Sequence, residues 1–130
     1  MEQPLNCRAL LVDDSPTVRE LYRMLLEDAG FEVEAFEDGQ TALSSALAET
    51  FVLVVSSLQN VGLGGFELVS ELRATQAYRD VPIVLTSAET DPELARRATE
   101  CGARALVRKG SLHEERLREV LREIGALRAP

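Results

Sequence analysis

The sequence predicts an α/β domain, a doubly wound five-stranded parallel sheet with helices on both faces. Three observations predict it. Short apolar runs of strand length alternate with stretches whose apolar residues recur at helical spacing, five of each in 130 residues. Most of the helical stretches open on a capping residue, and several close on glycine. The third run, FVLVV at 51–55, is apolar throughout, as a strand buried on both faces requires, whereas FEVEAF at 31–36 alternates and suits an edge.

In chain order, the first strand is CRALLV at 7–12, stopped by Asp13-Asp14. Ser15-Pro16 then caps and preorganises a helix whose buried face is read as Val18, Leu21, Met24 and Leu25, ending at Gly30. After the 31–36 strand, Asp38-Gly39 opens a second helix with Ala42, Leu43, Ala46 and Leu47 inward. The 51–55 strand leads through Ser56-Ser57 and a loop with Gly62, Gly64 and Gly65 into a third helix, about 65–74, with Phe66, Val69 and Leu72 inward. The fourth strand is VPIVLT at 81–86; Thr90-Asp-Pro-Glu93 reads as a capping box for a helix that stops at Gly102. ALVR at 105–108 is a brief fifth strand, Ser111 to Glu114 a second capping box, and the last helix buries Leu117, Val120, Leu121 and Ile124. The whole is one domain, 1–130, with 126–130 as a frayed tail.

The apolar first and third strands belong at the centre, which gives the order 2-1-3-4-5 with its switch point between them. Ligands of such sheets bind beyond the carboxyl ends of the strands at that point. Asp13, Asp14, Ser57, Ser87 and Lys109 are gathered there by the topology.

Composition narrows the function. A net charge of −8 argues against nucleic acid and anionic membranes as partners. No window reaches the ~20 apolar residues of a membrane span. The amino terminus has no signal-peptide pattern, so a cytoplasmic location is expected. Cys7 and Cys101 have no metal or redox spacing and read as free thiols; His113, among charges in a first helical turn, reads as a solvated or capping residue. The glycines at 62–65 form no GxGxxG cradle, and nucleotide binding is not expected.

Along essentially its whole length the chain resembles the receiver domain of two-component response regulators, a flavodoxin-like fold. LLVDDSPTVRELYRMLLEDAGFEV resembles that family's first strand, acid pair and first helix; VPIVLTSAE its fourth strand; and CGARALVRKG its fifth. The resemblance implies that Asp13 and Asp14 correspond to Mg²⁺ ligands, that Ser87 and Ala88 belong to the phosphoryl pocket, and that Lys109, the only lysine in the chain, neutralises phosphoryl charge. A compact ammonium suits that task in a tight pocket.

The departure from the family lies at Ser57. The family's phosphoacceptor aspartate ends strand three, and here positions 50 to 66 contain no carboxylate. Serine without an adjacent base is a weak nucleophile, and its phosphate is a stable ester. Mg²⁺ loses one carboxylate ligand as well, leaving at most a weakened site at Asp13 and Asp14. Leu106 stands at the aromatic switch position, Gly110 where a proline usually follows the lysine, and Gly64 where a polar residue usually precedes the third helix. In the bland reading of the acid pair, one member helps cap the first helix and the other pairs with Lys109, which becomes structural. Ser57 and Ser87 are then pocket hydroxyls bonded to each other, to water or to backbone.

The reading is therefore a stand-alone pseudo-receiver, not an enzyme, needing no cofactor beyond at most weak Mg²⁺. It acts in trans as a monomer or weak dimer by binding a protein: a histidine kinase or another signalling or motility protein. The family's helix-four, strand-five, helix-five face would present Arg96, Arg97 and Leu106. Two readings stand beside it: a phosphoacceptor or phosphorelay shuttle using Asp13 or Asp14, and a normal receiver into which Ser57 was engineered.

Overall fold

The computed structural model describes residues 7–60, 62–109 and 114–128, with side chains to residue 125. Five strands, β1 (Arg8–Val12), β2 (Glu32–Phe36), β3 (Leu53–Ser57), β4 (Ile83–Ser87) and β5 (Ala105–Arg108), form one sheet in the order β2-β1-β3-β4-β5. Every pairing is parallel. The helices α1 (Pro16–Asp28), α2 (Gly39–Ala48), α3 (Gly65–Arg73) and α4 (Pro92–Cys101) are the crossovers, α5 (Glu114–Arg128) follows the last strand, and a 3-10 turn, Gln76–Tyr78, precedes β4. The expected fold class and strand order are those observed.

Alternation along the strands separates two cores. Leu10, Val12, Val54, Ile83 and Leu85 face one way, into a cluster with Leu68, Val69 and Leu72 of α3 and Ala42 and Ala46 of α2. Ala9, Leu11, Leu53, Val55, Val84 and Val107 face the other way, against Tyr22, Leu25 and Leu26 of α1 and Leu117, Val120 and Ile124 of α5. All five residues of β3 are buried, as its apolar run requires. On the edge strand β2, Glu32 is exposed, and half-buried Glu34 pairs with Arg8 of β1.

Several sequence expectations are corrected. Met24 and Leu47 are 56% and 57% exposed. Met24 lies about 100° off the edge of the buried stripe of α1, which runs through Tyr22, Leu25 and Leu26, and Leu47 lies about 40° beyond Leu43, past the edge of the α2 stripe of Gly39, Ala42, Leu43 and Ala46. In α3 Leu68 is buried beside the expected Val69 and Leu72, while Phe66 is only half-buried and carries the Arg97 guanidinium over its ring. Thr90 is not the cap of α4; Asp91 is, accepting from the Leu94 N–H at 2.9 Å. Strands β3 and β4 start two residues later than read and run on to Ser57 and Ser87. The supposed tail is helical as far as Arg128. The second capping box, Gly110 and His113 lie outside the described residues.

Two long-range anchors were not visible in the sequence. The buried Tyr78 hydroxyl lies 2.7 Å from the Ala46 carbonyl and 2.8 Å from that of Glu49, and accepts from the Phe51 N–H at 3.3 Å. It thereby ties the end of α2 to the approach to β3. Arg73 donates to the carbonyls of Tyr78, Val81 and Gly102 at 2.5, 2.7 and 2.8 Å, joining the end of α3 to the starts of β4 and β5.

Candidate functional site

The carboxyl ends of β1, β3 and β5 bring Asp13, Ser57 and Lys109 together. Asp13 follows β1 directly and is fully buried; its backbone N–H donates to the Phe36 carbonyl at 3.0 Å. Its Oδ1 accepts from the N–H of Ser15, the N-cap of α1, at 2.9 Å, so the acid holds the entry to that helix. Its Oδ2 lies 3.0 Å from Lys109 Nζ. That atom has no well-aligned hydrogen bond, so the contact is an ion pair at close range.

The directional bond of Lys109 goes to Ser57 instead. Nζ donates to Ser57 Oγ at 2.7 Å, and the Gln59 N–H donates to the same oxygen at 3.3 Å. Ser57 is 1% exposed. One ammonium thus bridges a carboxylate just after β1 and a hydroxyl at the end of β3, and the Lys109 backbone N–H is anchored on the Ser87 carbonyl at 2.8 Å. An ammonium that donates to Ser57 has no lone pair with which to take its proton, so the arrangement does not activate the hydroxyl.

Close packing fixes the position of Ser57. A Cβ on Gly65 would sit 2.7 Å from the Ser57 carbonyl oxygen and 2.8 Å from Leu58 Cα, so only glycine lets α3 start against the end of β3. Ser56, also buried, donates to the Ser57 carbonyl at 2.9 Å and accepts from Asn60 Nδ2 at 3.0 Å. Sequence reasoning missed this second hydroxyl, although two serines ending an alternating strand must face opposite sides of the sheet.

The other expected site residues lie further out. Ser87 is buried and its Oγ accepts from the Glu89 N–H at 3.2 Å, so Ser57 and Ser87 each bond to backbone. Ala88 is exposed and, with Ser87, Gln59, Glu89 and Leu94, lines a hollow of about 160 Å³. Asp14 is exposed and lines a larger cleft of about 570 Å³ with Glu37, Asp38 and Gly62. Asp38 is held below the ordinary carboxylate range by hydrogen bonds from the Thr41 N–H and hydroxyl, because it caps α2.

Leu106 is half-buried against the core on the α4 side. Arg96 is engaged by Glu93 and Glu100 on its own helix, and the Arg97 guanidinium lies 4.6 Å from the centroid of the Phe66 ring, turned towards α3. Asp13 Oδ1 accepts from the Ser15 N–H and its Oδ2 faces the Lys109 ammonium, and no group of three or more His, Cys, Asp or Glu suited to a metal exists among the described residues.

This sheet order, with an acid after β1, a hydroxyl ending β4 and a lysine after β5, invites comparison with known proteins. The family model of the response regulator receiver domain matches residues 9–122. The chain belongs to that family. It is a receiver domain of the kind used in bacterial two-component and chemotaxis signalling. It is 35% identical over 114 residues to a gliding motility regulatory protein of Myxococcus xanthus, covering 88% of this chain and 15% of the relative. It is 33% identical over 106 residues to a sensory/regulatory protein of Xanthomonas campestris, covering 80% of this chain and again 15% of the relative. The chain therefore spans about 15% of the length of these curated relatives. Among solved structures, a chemotaxis response regulator of Vibrio cholerae matches with a TM-score of 0.82 at 32% identity, covering 91% of this chain and 98% of that one. Among the described residues no helix is long and apolar enough to cross a membrane.

Proposed function

We propose that this receiver domain is a pseudo-receiver: it does not take a phosphoryl group and works by binding a protein partner in whatever state its fold presents. The observation that carries the reading is the bond from Lys109 Nζ to Ser57 Oγ at 2.7 Å, where a phosphorylatable receiver needs a carboxylate. A hydroxyl cannot form the acyl phosphate on which receiver switching depends, and here it serves as an acceptor for the lysine. The ion pair with Asp13 satisfies the remaining charge, so the site holds together without a divalent ion.

The partner is a signalling protein such as a histidine kinase or a motility regulator, and the names of the relatives from Myxococcus and Xanthomonas support that class. The contact face is the one built by α4, β5 and α5, including Arg96, Arg97 and Leu106. Asp14 is a poor substitute acceptor: it lies in an acidic cleft beside Glu37 and Asp38, where an incoming phosphoryl group is repelled.

A Ser57→Asp protein tests the reading. On this account the substitution alone introduces Mg²⁺ binding and labelling by acetyl phosphate, while the natural chain shows neither. Labelling of the natural chain that disappears in Asp13→Asn or Asp14→Asn would instead make one of those acids the acceptor.

A further inference from the structure

At the opposite end of the sheet, where β4 and β5 begin, a cavity of about 460 Å³ is lined by Arg73, Arg79, Asp80, Val81, Pro82, Gly102, Arg104 and Ile124. Its volume lies in the range of small-molecule sites. Three arginines face one aspartate there, in a chain whose net charge is −8. We propose that this basal cavity binds a small organic anion, its carboxylate or phosphate group held by Arg79 and Arg104 and its apolar body resting on Val81, Pro82 and Ile124.

The three arginines are not equivalent. Arg73 is committed to the wall: its guanidinium donates to the carbonyls of Tyr78, Val81 and Gly102, and so fixes the cavity's shape in advance. Burial pushes the Arg73 guanidinium down from its ordinary value and the Asp80 charge raises it, so the one acid in the lining already acts on Arg73. Arg79 has no ion pair or side-chain hydrogen bond among the described residues. Among the described residues Arg104 is paired only with Glu123, at 3.4 Å and with both side chains substantially exposed, a contact of little worth that an anion can displace. Two planar donor forks at the mouth of a preformed cavity with apolar lining suit a carboxylate or phosphate on a hydrophobic body.

The site is remote from Ser57, at the other end of the strands, and does not depend on how the Ser57 centre is read. The test is a backbone-amide NMR titration of the full chain with phenyl phosphate and with benzoate, using inorganic phosphate and benzylamine as head-group and charge controls. Saturable shifts are expected at the amides of Asp80, Val81, Ile83, Gly102 and Arg104, and the tighter of the two ligands identifies the head group. The Arg79→Ala/Arg104→Ala protein should bind about tenfold more weakly or worse, with an otherwise unchanged spectrum because both side chains are exposed. Shifts that fail to saturate, that benzylamine reproduces, or that persist in the double variant would overturn the proposal.

Discussion

Lys109 donates to Ser57 at 2.7 Å, across a sequence separation of 52 residues, and the same ammonium lies 3.0 Å from Asp13. The carboxyl ends of β1, β3 and β5 are thus held by one side chain. In a phosphorylatable receiver that lysine answers a charge that comes and goes. On the reading proposed above its partners here are permanent, and it becomes part of the framework.

Removing it should therefore cost stability. Lys109→Met leaves the Asp13 carboxylate, 1% exposed, buried without its counter-charge. Roughly 3 kcal/mol should be lost, the low end of the range for breaking a buried pair because Lys109 retains 17% exposure. Urea denaturation measures it, and Asp13→Asn in the Lys109→Met background should recover most of the loss. A single variant as stable as the parent would show the bridge to be incidental.

Gly65→Ala probes the contact that positions Ser57. The new Cβ would meet the Ser57 carbonyl at 2.7 Å, a backbone atom that cannot swing aside. A destabilisation of about 1–3 kcal/mol is expected, with amide shifts concentrated at the end of β3. Gly62, at φ 78 in the same loop, has open space around it, so alanine there should be penalised for backbone strain alone.

Tyr78→Phe removes the hydroxyl shared by the Ala46 and Glu49 carbonyls and the Phe51 N–H. Burial pushes the phenol up from its ordinary value, so the group stays a donor across the neutral range. Because the removed partner leaves buried backbone groups unsatisfied, a loss of about 1–3 kcal/mol is expected, readable as a lower urea midpoint with an unchanged slope. An unchanged midpoint would mean that water takes the place of the hydroxyl.

The cap of α2 should titrate. Asp38 has a folded pKa below its ordinary value of 3.8, so its contribution is fully present above that value and is lost as pH falls through the depressed one. Asp38→Asn, which caps without a charge, should remove this acid-side slope while preserving the helix at neutral pH. Amide exchange across α2 as a function of pH distinguishes the two proteins; parallel profiles would contradict the assignment.

Most of the frame was legible in the sequence because it rests on short-range patterns. Period-two alternation, the uniformly apolar FVLVV run and glycine punctuation were sufficient for the strand order. The exposure of Met24 and Leu47 was not legible, since Met24 follows Leu21 and Leu47 follows Leu43 at helical spacing, and only the neighbouring elements decide which side is covered. Thr90 and Asp91 are both good caps at adjacent positions, and the backbone at Asp91 settles the choice. The roles of Tyr78 and Arg73 depend on carbonyls distant in sequence, which leave no periodic trace. At the site, the absence of any carboxylate from positions 50 to 66 could be read from the letters alone, and a Lys109 pairing with one of the acids was expected. That the acid is Asp13, and that the lysine's best hydrogen bond goes to Ser57, required the geometry.

The most direct test is the intact mass of the protein after incubation with acetyl phosphate and Mg²⁺, alongside the Ser57→Asp variant. The account predicts no added phosphoryl group on the natural chain and a labile one on the variant. A stoichiometric, Mg²⁺-dependent phosphoryl adduct on the natural chain would contradict it.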